Sequence, residues 1–216
     1  MQRLQIPYDR VRLEPRDFDP AAFDTLLGRA LEWSGDTPLV LEIFGPGSQL
    51  LLFLRRGQIY WAGENGGTGF AGITIRAFFE TLRHAQFPRV VVYETDLLLF
   101  HSLLVFLQNE PEIKVSSTLV DLDELLARTE GDHGGALLTA TRPGTIVMYR
   151  HGRSTGSCFF TGGERCQREQ RPREDFLVRV FTLSTRQPLE VRLYTDLVVT
   201  HAEDARPLPA GYEGAV

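Results

Sequence analysis

The stretch "PRVVVYETDLLLFH" at residues 88–101 resembles "PLEVRLYTDLVVTH" at residues 188–201, with six of the 14 positions identical. Both copies begin with proline, share a valine at positions 91 and 191, continue to Thr-Asp-Leu, and end in histidine, at His101 and His201. Self-similarity at a fixed period is the sequence signature of repeated structural units. The pair therefore predicts that one α/β unit occurs twice in this chain.

The repeat extends upstream of these two stretches. Asp24 aligns with Asp123, and the dipeptides at 46–47 and 143–144 are both Pro-Gly. The offset is 99 to 100 residues at both ends of the unit, with small deletions between them. The same order of turn residues and apolar runs in both halves favours an internal duplication.

Each predicted unit contains a helix, a three-strand antiparallel meander, a second helix and a final strand. Apolar residues at helical spacing (23, 26, 27 and 30) predict the first helix, and Gly/Pro turns between aliphatic runs predict the hairpins. We therefore predict an α+β fold of two tandem duplicated units packed with pseudo-twofold symmetry. The expected bounds are 1–110 for the first unit, 111–205 for the second and 206–216 for a flexible tail.

Composition and charge exclude several classes of partner. The net charge of −5 argues against nucleic acid, which requires a concentrated basic face. The longest apolar run, 97–107, is shorter than the roughly 20 residues that span a bilayer. The first 15 residues lack the apolar core of a signal peptide. Cys158 and Cys166 form no metal-binding pattern, so we expect a cytoplasmic protein with no metal and no membrane contact.

A glycine motif at residues 67–72 is the sharpest chemical lead. Gly67, Gly69 and Gly72 form a G-x-G-x-x-G pattern before a predicted helix, and Glu94 ends the strand after it. In dinucleotide-binding βαβ units such glycines admit the pyrophosphate to a helix N-terminus, and an acidic residue binds the ribose. Three hairpin-like strands precede the motif here, whereas a βαβ unit has a parallel strand that leads directly into the glycines. Two interpretations stay open: a nucleotide-binding loop and a Gly-rich connector.

Residues 97–107 form a second lead because they are apolar on every side of a predicted helix. Such a helix must be buried on every side. We expect it to be buried between the two units or at the self-association surface of a homodimer. In the second case the interface residues would be Leu99, Phe100, Leu103, Leu104 and Phe106.

The order of features from residue 50 to residue 93 has the pattern of a known domain family. A strand (50–55), a glycine turn (57), a second strand (59–62), a Gly-containing connection (66–72), a helix (78–82) and a third strand (90–93) follow one another. This order resembles the PATAN-type domains of bacterial signalling proteins. The resemblance implies an adaptor or regulatory module that acts through protein contacts, with no catalytic site and no cofactor.

The resulting functional hypothesis is a non-catalytic signalling adaptor with an unknown protein partner, and the alternative is a small nucleotide- or dinucleotide-binding protein. A thermal melt with millimolar NAD, FAD or ATP separates them. A ligand that binds only the folded state raises the melting midpoint, by about 4 kcal/mol of added stability at a thousandfold excess over Kd. The adaptor hypothesis predicts an unchanged midpoint with all three compounds, and a rise with any of them would support the alternative.

Overall fold

Two six-stranded antiparallel sheets, each flanked by helices, form two separate units of the chain, so the class is α+β as predicted. The computed structural model describes residues 3–66, 70–84, 89–152, 155–162, 164–168 and 170–197. The first unit holds Arg3 and Tyr8–Phe100. The second unit holds Leu4–Pro7 and the described residues from 101 onward.

The first unit begins with an edge strand and then alternates helices with strands. Its elements are β1 (Arg10–Asp17), a 3-10 turn (Pro20–Ala22), α1 (Phe23–Trp33), β2 (Leu39–Gly45), β3 (Ser48–Arg55), β4 (Gln58–Asn65), β5 (Phe70–Gly72), α2 (Ile75–His84) and β6 (Arg89–Glu94). The helix α3 (Leu97–Gln108) follows. The strand order across the sheet is β1-β6-β2-β3-β4-β5.

The second unit has the same succession of elements. They are β7 (Ile113–Ser116), α4 (Leu122–Gly131), β8 (Ala136–Arg142), β9 (Thr145–His151), β10 (Gly156–Thr161), β11 (Gln167–Arg168), α5 (Pro172–Ser184) and β12 (Glu190–Tyr194). The strand order is β7-β12-β8-β9-β10-β11. Each strand therefore takes the position of its counterpart in the first sheet.

The predicted meanders, second helices and final strands are confirmed in both units. The prediction omitted the edge strands β1 and β7, and the short strands β5 and β11 that follow each meander. The shared strand order agrees with a duplication, but the duplication itself and the pseudo-twofold symmetry stay predictions. The predicted tail and His201 lie outside the described residues.

The helices α1 and α2 pack on one face of the first sheet. Alternate residues of each strand point towards this face. In β2 this face presents Leu39, Leu41 and Ile43, which pack with residues of α1 and α2 such as Phe23 and Phe78. In the second unit the matching cluster joins β8, β9 and β12 to α4 and α5, with Phe176 and Val180 fully buried. Burial of such aliphatic and aromatic side chains stabilises a fold by about 1.5–3 kcal/mol each.

The β2–β3 and β8–β9 hairpins use the same turn. In each, a proline is followed by a glycine with positive φ, +83° at Gly47 and +73° at Gly144. Proline presets the first central position of such a turn, and glycine adopts positive φ without the steric cost that a Cβ imposes. The aligned Pro-Gly pairs therefore mark equivalent turns, as the sequence indicates.

The helix α3 begins with a capping aspartate. Asp96 Oδ1 accepts a hydrogen bond of 2.7 Å from the backbone N–H of Leu99, which satisfies a free donor of the first turn. The division between the units falls inside this helix, between Phe100 and His101, whereas the sequence placed it at residue 110. His101 is buried, at 5% exposure.

Replacing the turn glycines tests the equivalence of the two hairpins. We expect Gly47→Ala and Gly144→Ala each to lower the free energy of unfolding by about 1–2 kcal/mol, because alanine is strained at positive φ. The matched control is Gly28→Ala in α1, which is expected to raise it by about 0.8 kcal/mol because the position is helical and nothing lies within 4 Å of the new Cβ. Urea denaturation followed by circular dichroism measures all three, and equal midpoints for the three variants would contradict the assignment.

Candidate functional site

The glycine motif ends in an antiparallel hairpin. Gly72 closes β5 and pairs with Gly63 of β4. A Cβ atom added at Gly72 would lie 3.0 Å from Trp61 Nε1, and one added at Gly63 would collide with the six-membered ring of the same indole. Both glycines thus make room for Trp61. Gly67 and Gly69 lie outside the described residues, and the nucleotide-binding alternative stays a prediction.

Glu94, the ribose-binding candidate, is engaged by arginines of the edge strand. Its carboxylate lies 3.2 Å from Arg10 Nε and 3.3 Å from Arg12 Nη1, and its side chain is 15% exposed. Glu94 also lies opposite Arg10 in the β1–β6 register. The contacts of this carboxylate therefore hold β1 to the sheet.

The predicted interface helix α3 is buried within the single chain. Leu99, Phe100, Leu103 and Leu104 are at most 3% exposed. Phe100 packs on Phe53, with ring centroids 5.4 Å apart. Phe106 is half-buried, and the guanidinium carbon of Arg192 lies 5.3 Å from its ring centre. Leu97, at the start of the helix, is 42% exposed. The homodimer interface on this helix stays a prediction.

An ion pair with a buried carboxylate lies on the face of the first sheet opposite α1 and α2. Glu42 is fully buried and accepts hydrogen bonds from Arg3 Nε at 2.6 Å and from Gln49 Nε2 at 2.6 Å. Arg3 Nη2 also donates to the hydroxyl of Tyr93 at 3.2 Å. Burial, and then the charge of Glu42, raise the pKa of Tyr93 above its usual value. Since a buried charge without a partner costs several kcal/mol, this network is best explained as structural support.

An exposed apolar face on α5 is the main surface feature that the sequence reasoning missed. Val178 is 62% exposed and Phe181 is 71% exposed, and they are three positions apart on the same helix. Residues at this spacing are neighbours on the helix surface. We call Val178 and Phe181 the α5 face.

The helices α2 and α5 are equivalent position by position. Phe78 and Leu82 are the buried residues of α2 that correspond to Phe176 and Val180 of α5. From these anchors onward, exposed, half-buried and buried positions follow in the same order along both helices. The two helices can therefore be compared residue by residue.

At the two positions of the α5 face, α2 carries charged residues. Glu80 takes the place of Val178, and Arg83 takes the place of Phe181. All four side chains belong to exposed residues. The first unit thus has the usual polar outer surface of an amphipathic helix, and the second unit does not.

Contacts at both ends fix α5 on its unit. Arg173 Nη1 donates to Glu130 Oε2 of α4 at 2.7 Å, and the Tyr149 hydroxyl donates to Glu130 Oε1 at 3.2 Å. At the other end Ser184 Oγ donates to Ser117 Oγ at 2.8 Å. The α5 face is therefore presented by a helix that is held at both termini.

A third exposed apolar residue lies close in sequence to one of these contacts. Leu119 is 79% exposed and follows Ser117 by two residues. Ser117 also accepts a hydrogen bond of 3.0 Å from the backbone N–H of Leu189. The turn that carries Leu119 is thus tied to the C-terminal end of α5.

The described residues contain no candidate metal centre and no candidate membrane span. No group of three or more His, Cys, Asp or Glu side chains there is placed to hold a metal ion. No described helix combines the length and the apolar character needed to cross a bilayer. Cys158 is buried in β10.

Comparison with known proteins identifies no relative. No family model, curated protein or solved structure matches this chain. The resemblance to PATAN-type domains stays a prediction, and function must be argued from the surface of the protein itself.

The anchor at Tyr149 predicts a pH dependence. Burial, and then the negative charge of Glu130, raise the pKa of Tyr149 to about 12. Its ordinary value is about 10, so between pH 10 and pH 12 the unfolded chain loses this proton while the folded protein keeps it. Stability gained from Tyr149 is complete below pH 10 and falls as the pH rises towards 12. From pH 9 to pH 11 the urea midpoint should therefore fall further for the native protein than for Tyr149→Phe. An equal fall for both proteins would contradict the assignment.

Proposed function

We propose that this protein is a non-catalytic bacterial cytoplasmic adaptor of the signalling or regulatory kind, and that it binds another protein through the α5 face. The observation that carries the proposal is the exposure of Phe181 and Val178 at positions where the equivalent helix carries Arg83 and Glu80. Exposed apolar groups clustered on one helix are characteristic of protein interaction sites.

The chemistry of the α5 face defines the partner it fits. An aromatic side chain on a fixed helix is the usual anchor of an interface, because it enters a pocket and loses little conformational freedom. Burying Phe181 in an apolar pocket would stabilise a complex by about 1.5–3 kcal/mol. The partner is therefore a protein with an apolar pocket or groove wide enough for a phenyl ring.

The small area of the α5 face favours a reversible contact with a different protein. Stable interfaces bury about 800 Å² on each partner, and a single aromatic side chain offers about 150–250 Å². The area that two side chains can bury is therefore well below that of a stable interface. This is the behaviour expected of an adaptor that exchanges partners, and it argues against a permanent homodimer on this surface.

The experiment places a photo-reactive phenylalanine analogue at position 181, and at position 182 as the matched control, in the otherwise native chain. Thr182 is also exposed but lies beside the α5 face. After irradiation in lysate of the source cells, we expect one heterologous protein to be crosslinked from position 181 and not from position 182. Excess native protein should compete with this crosslink.

Charged variants then test whether the apolar character is responsible. The doubly substituted Val178→Glu, Phe181→Glu protein should compete at least tenfold more weakly than the native protein, since loss of about 1.4 kcal/mol is a factor of ten. Its thermal midpoint should be nearly unchanged, because exposed substitutions shift stability by about 0.5 kcal/mol or less. Equal competition by this folded variant, or a crosslink to a second copy of the chain alone, would overturn the proposal.

A further inference from the structure

An open depression of about 640 Å³ lies in the second unit, beside the β8–β9 hairpin. Nine described residues line it, and they come from the hairpin turn, from the end of β10, from Gln5 and from the segment that follows α5. None of the nine is acidic, and two of them, Arg142 and Arg186, are arginines. The depression is therefore bordered by positive charge.

Both arginines are available to a ligand. Among the described residues, no ion pair joins Arg142 or Arg186 to an acidic side chain, whereas Arg173 and Arg192 of the same unit each have one. The carboxylate of Glu190, at the start of β12, is already held by Arg192 Nη2 at 2.5 Å and by Lys114 Nζ at 3.2 Å. The charge of Glu190 is thus neutralised by Arg192 and Lys114.

Uncharged polar groups complete the lining. Gln5, Gln187, Thr145 and Thr161 supply amides and hydroxyls around the arginines. Gly162, at the end of the β10 segment, has φ of +60° and nothing within 4 Å of where a Cβ would stand. Arginine and hydroxyl groups around an open space are the donors that bind carboxylate and phosphate oxygens.

The equivalent hairpin of the first unit lacks this charge. Gly45 pairs with Ser48 at the end of the β2–β3 hairpin, where Arg142 pairs with Thr145 in the β8–β9 hairpin. Counted back from the matching prolines at positions 88 and 188, glutamine at position 86 falls on Arg186 in the sequence. The two arginines thus belong to the second unit only.

We infer that the depression between Arg142 and Arg186 is an oxyanion-binding site, which takes a carboxylate or a phosphate group. The guanidinium groups supply charge and paired N–H donors, and the threonine hydroxyls and glutamine amides supply further hydrogen bonds. The group could come from a free small anion or from an acidic side chain of a bound protein. The inference is independent of the α5 face and goes beyond the proposed function.

The test is a titration of the 15N-labelled full chain, monitored by the amide signals of Gly144 and Gly162. The probes are inorganic phosphate, for the free anion, and the blocked tripeptide acetyl-Leu-Glu-Leu-amide, for an acidic side chain, at constant ionic strength in chloride. We expect saturable shifts of both amides with at least one probe. Saturation by phosphate alone assigns the site to free anions, and saturation by the peptide alone assigns it to protein carboxylates.

Three variants decide whether the arginines are responsible. Arg142→Gln and Arg186→Gln should each weaken binding about tenfold or more, since hydrogen bonds to charged groups contribute about 1.5–3 kcal/mol. The matched control, Arg16→Gln on exposed β1, removes the same charge elsewhere and should leave binding unchanged. Linear, unsaturated shifts with both probes, or equal weakening by all three variants, would overturn the inference. Val178→Glu, Phe181→Glu should bind the probes normally, so the two proposals can fail separately.

Discussion

Removal of water from both faces of the central strands is the constraint on which each unit depends. In β2, five successive residues from Leu39 to Ile43 have no exposed surface. Helices α1 and α2 pack on one face of the sheet, and alternate residues of a strand point to opposite faces. On the other face Phe100 of α3 packs on Phe53, which lies opposite Val40 of β2. The other face places a carboxylate at Glu42 in a dry environment, which is tolerable only because Arg3 and Gln49 bind it. Arg3, near the beginning of the chain, thereby neutralises a buried charge of the first unit.

The two units share one scaffold and differ in what they present to solvent. Strand order, turn type and the burial sequence of the second helix are the same in both. Two differences reach the surface: the exposed Phe181 stands where α2 carries Arg83, and the half-buried Arg142 stands where the β2–β3 hairpin carries Gly45. A buried position is fixed by packing, whereas an exposed one is free to change with function. The second unit is therefore the better place to search for the activity of this protein.

The elements with strong local sequence signals could be predicted. Those that depend on neighbouring strands or side chains far away in the sequence could not. Pro-Gly turns and runs such as "QLLLFLR" specify hairpins by themselves. Strand β1, in contrast, carries Arg10, Arg12 and Pro15 with little burial, and becomes a strand only by pairing with β6. The glycine motif suggested a phosphate site, although Gly72 is explained by the indole across the hairpin. The α5 face could be recognised only from the bounds of the helix and the burial of its residues. Phe181 and Val178 are exposed whereas Phe176 and Val180 are buried, although the residue types are the same.

The assignment of Leu4–Pro7 to the second unit, with Arg3 and Tyr8 in the first, means that neither unit is a continuous piece of the polypeptide. A fragment starting at position 101 would lack Gln5 and the fully enclosed Ile6, and a fragment ending at position 100 would carry those residues without their own unit. Expressing the halves separately would thus give two incomplete products. Any attribution of a property to one half should rest on point substitutions in the intact protein.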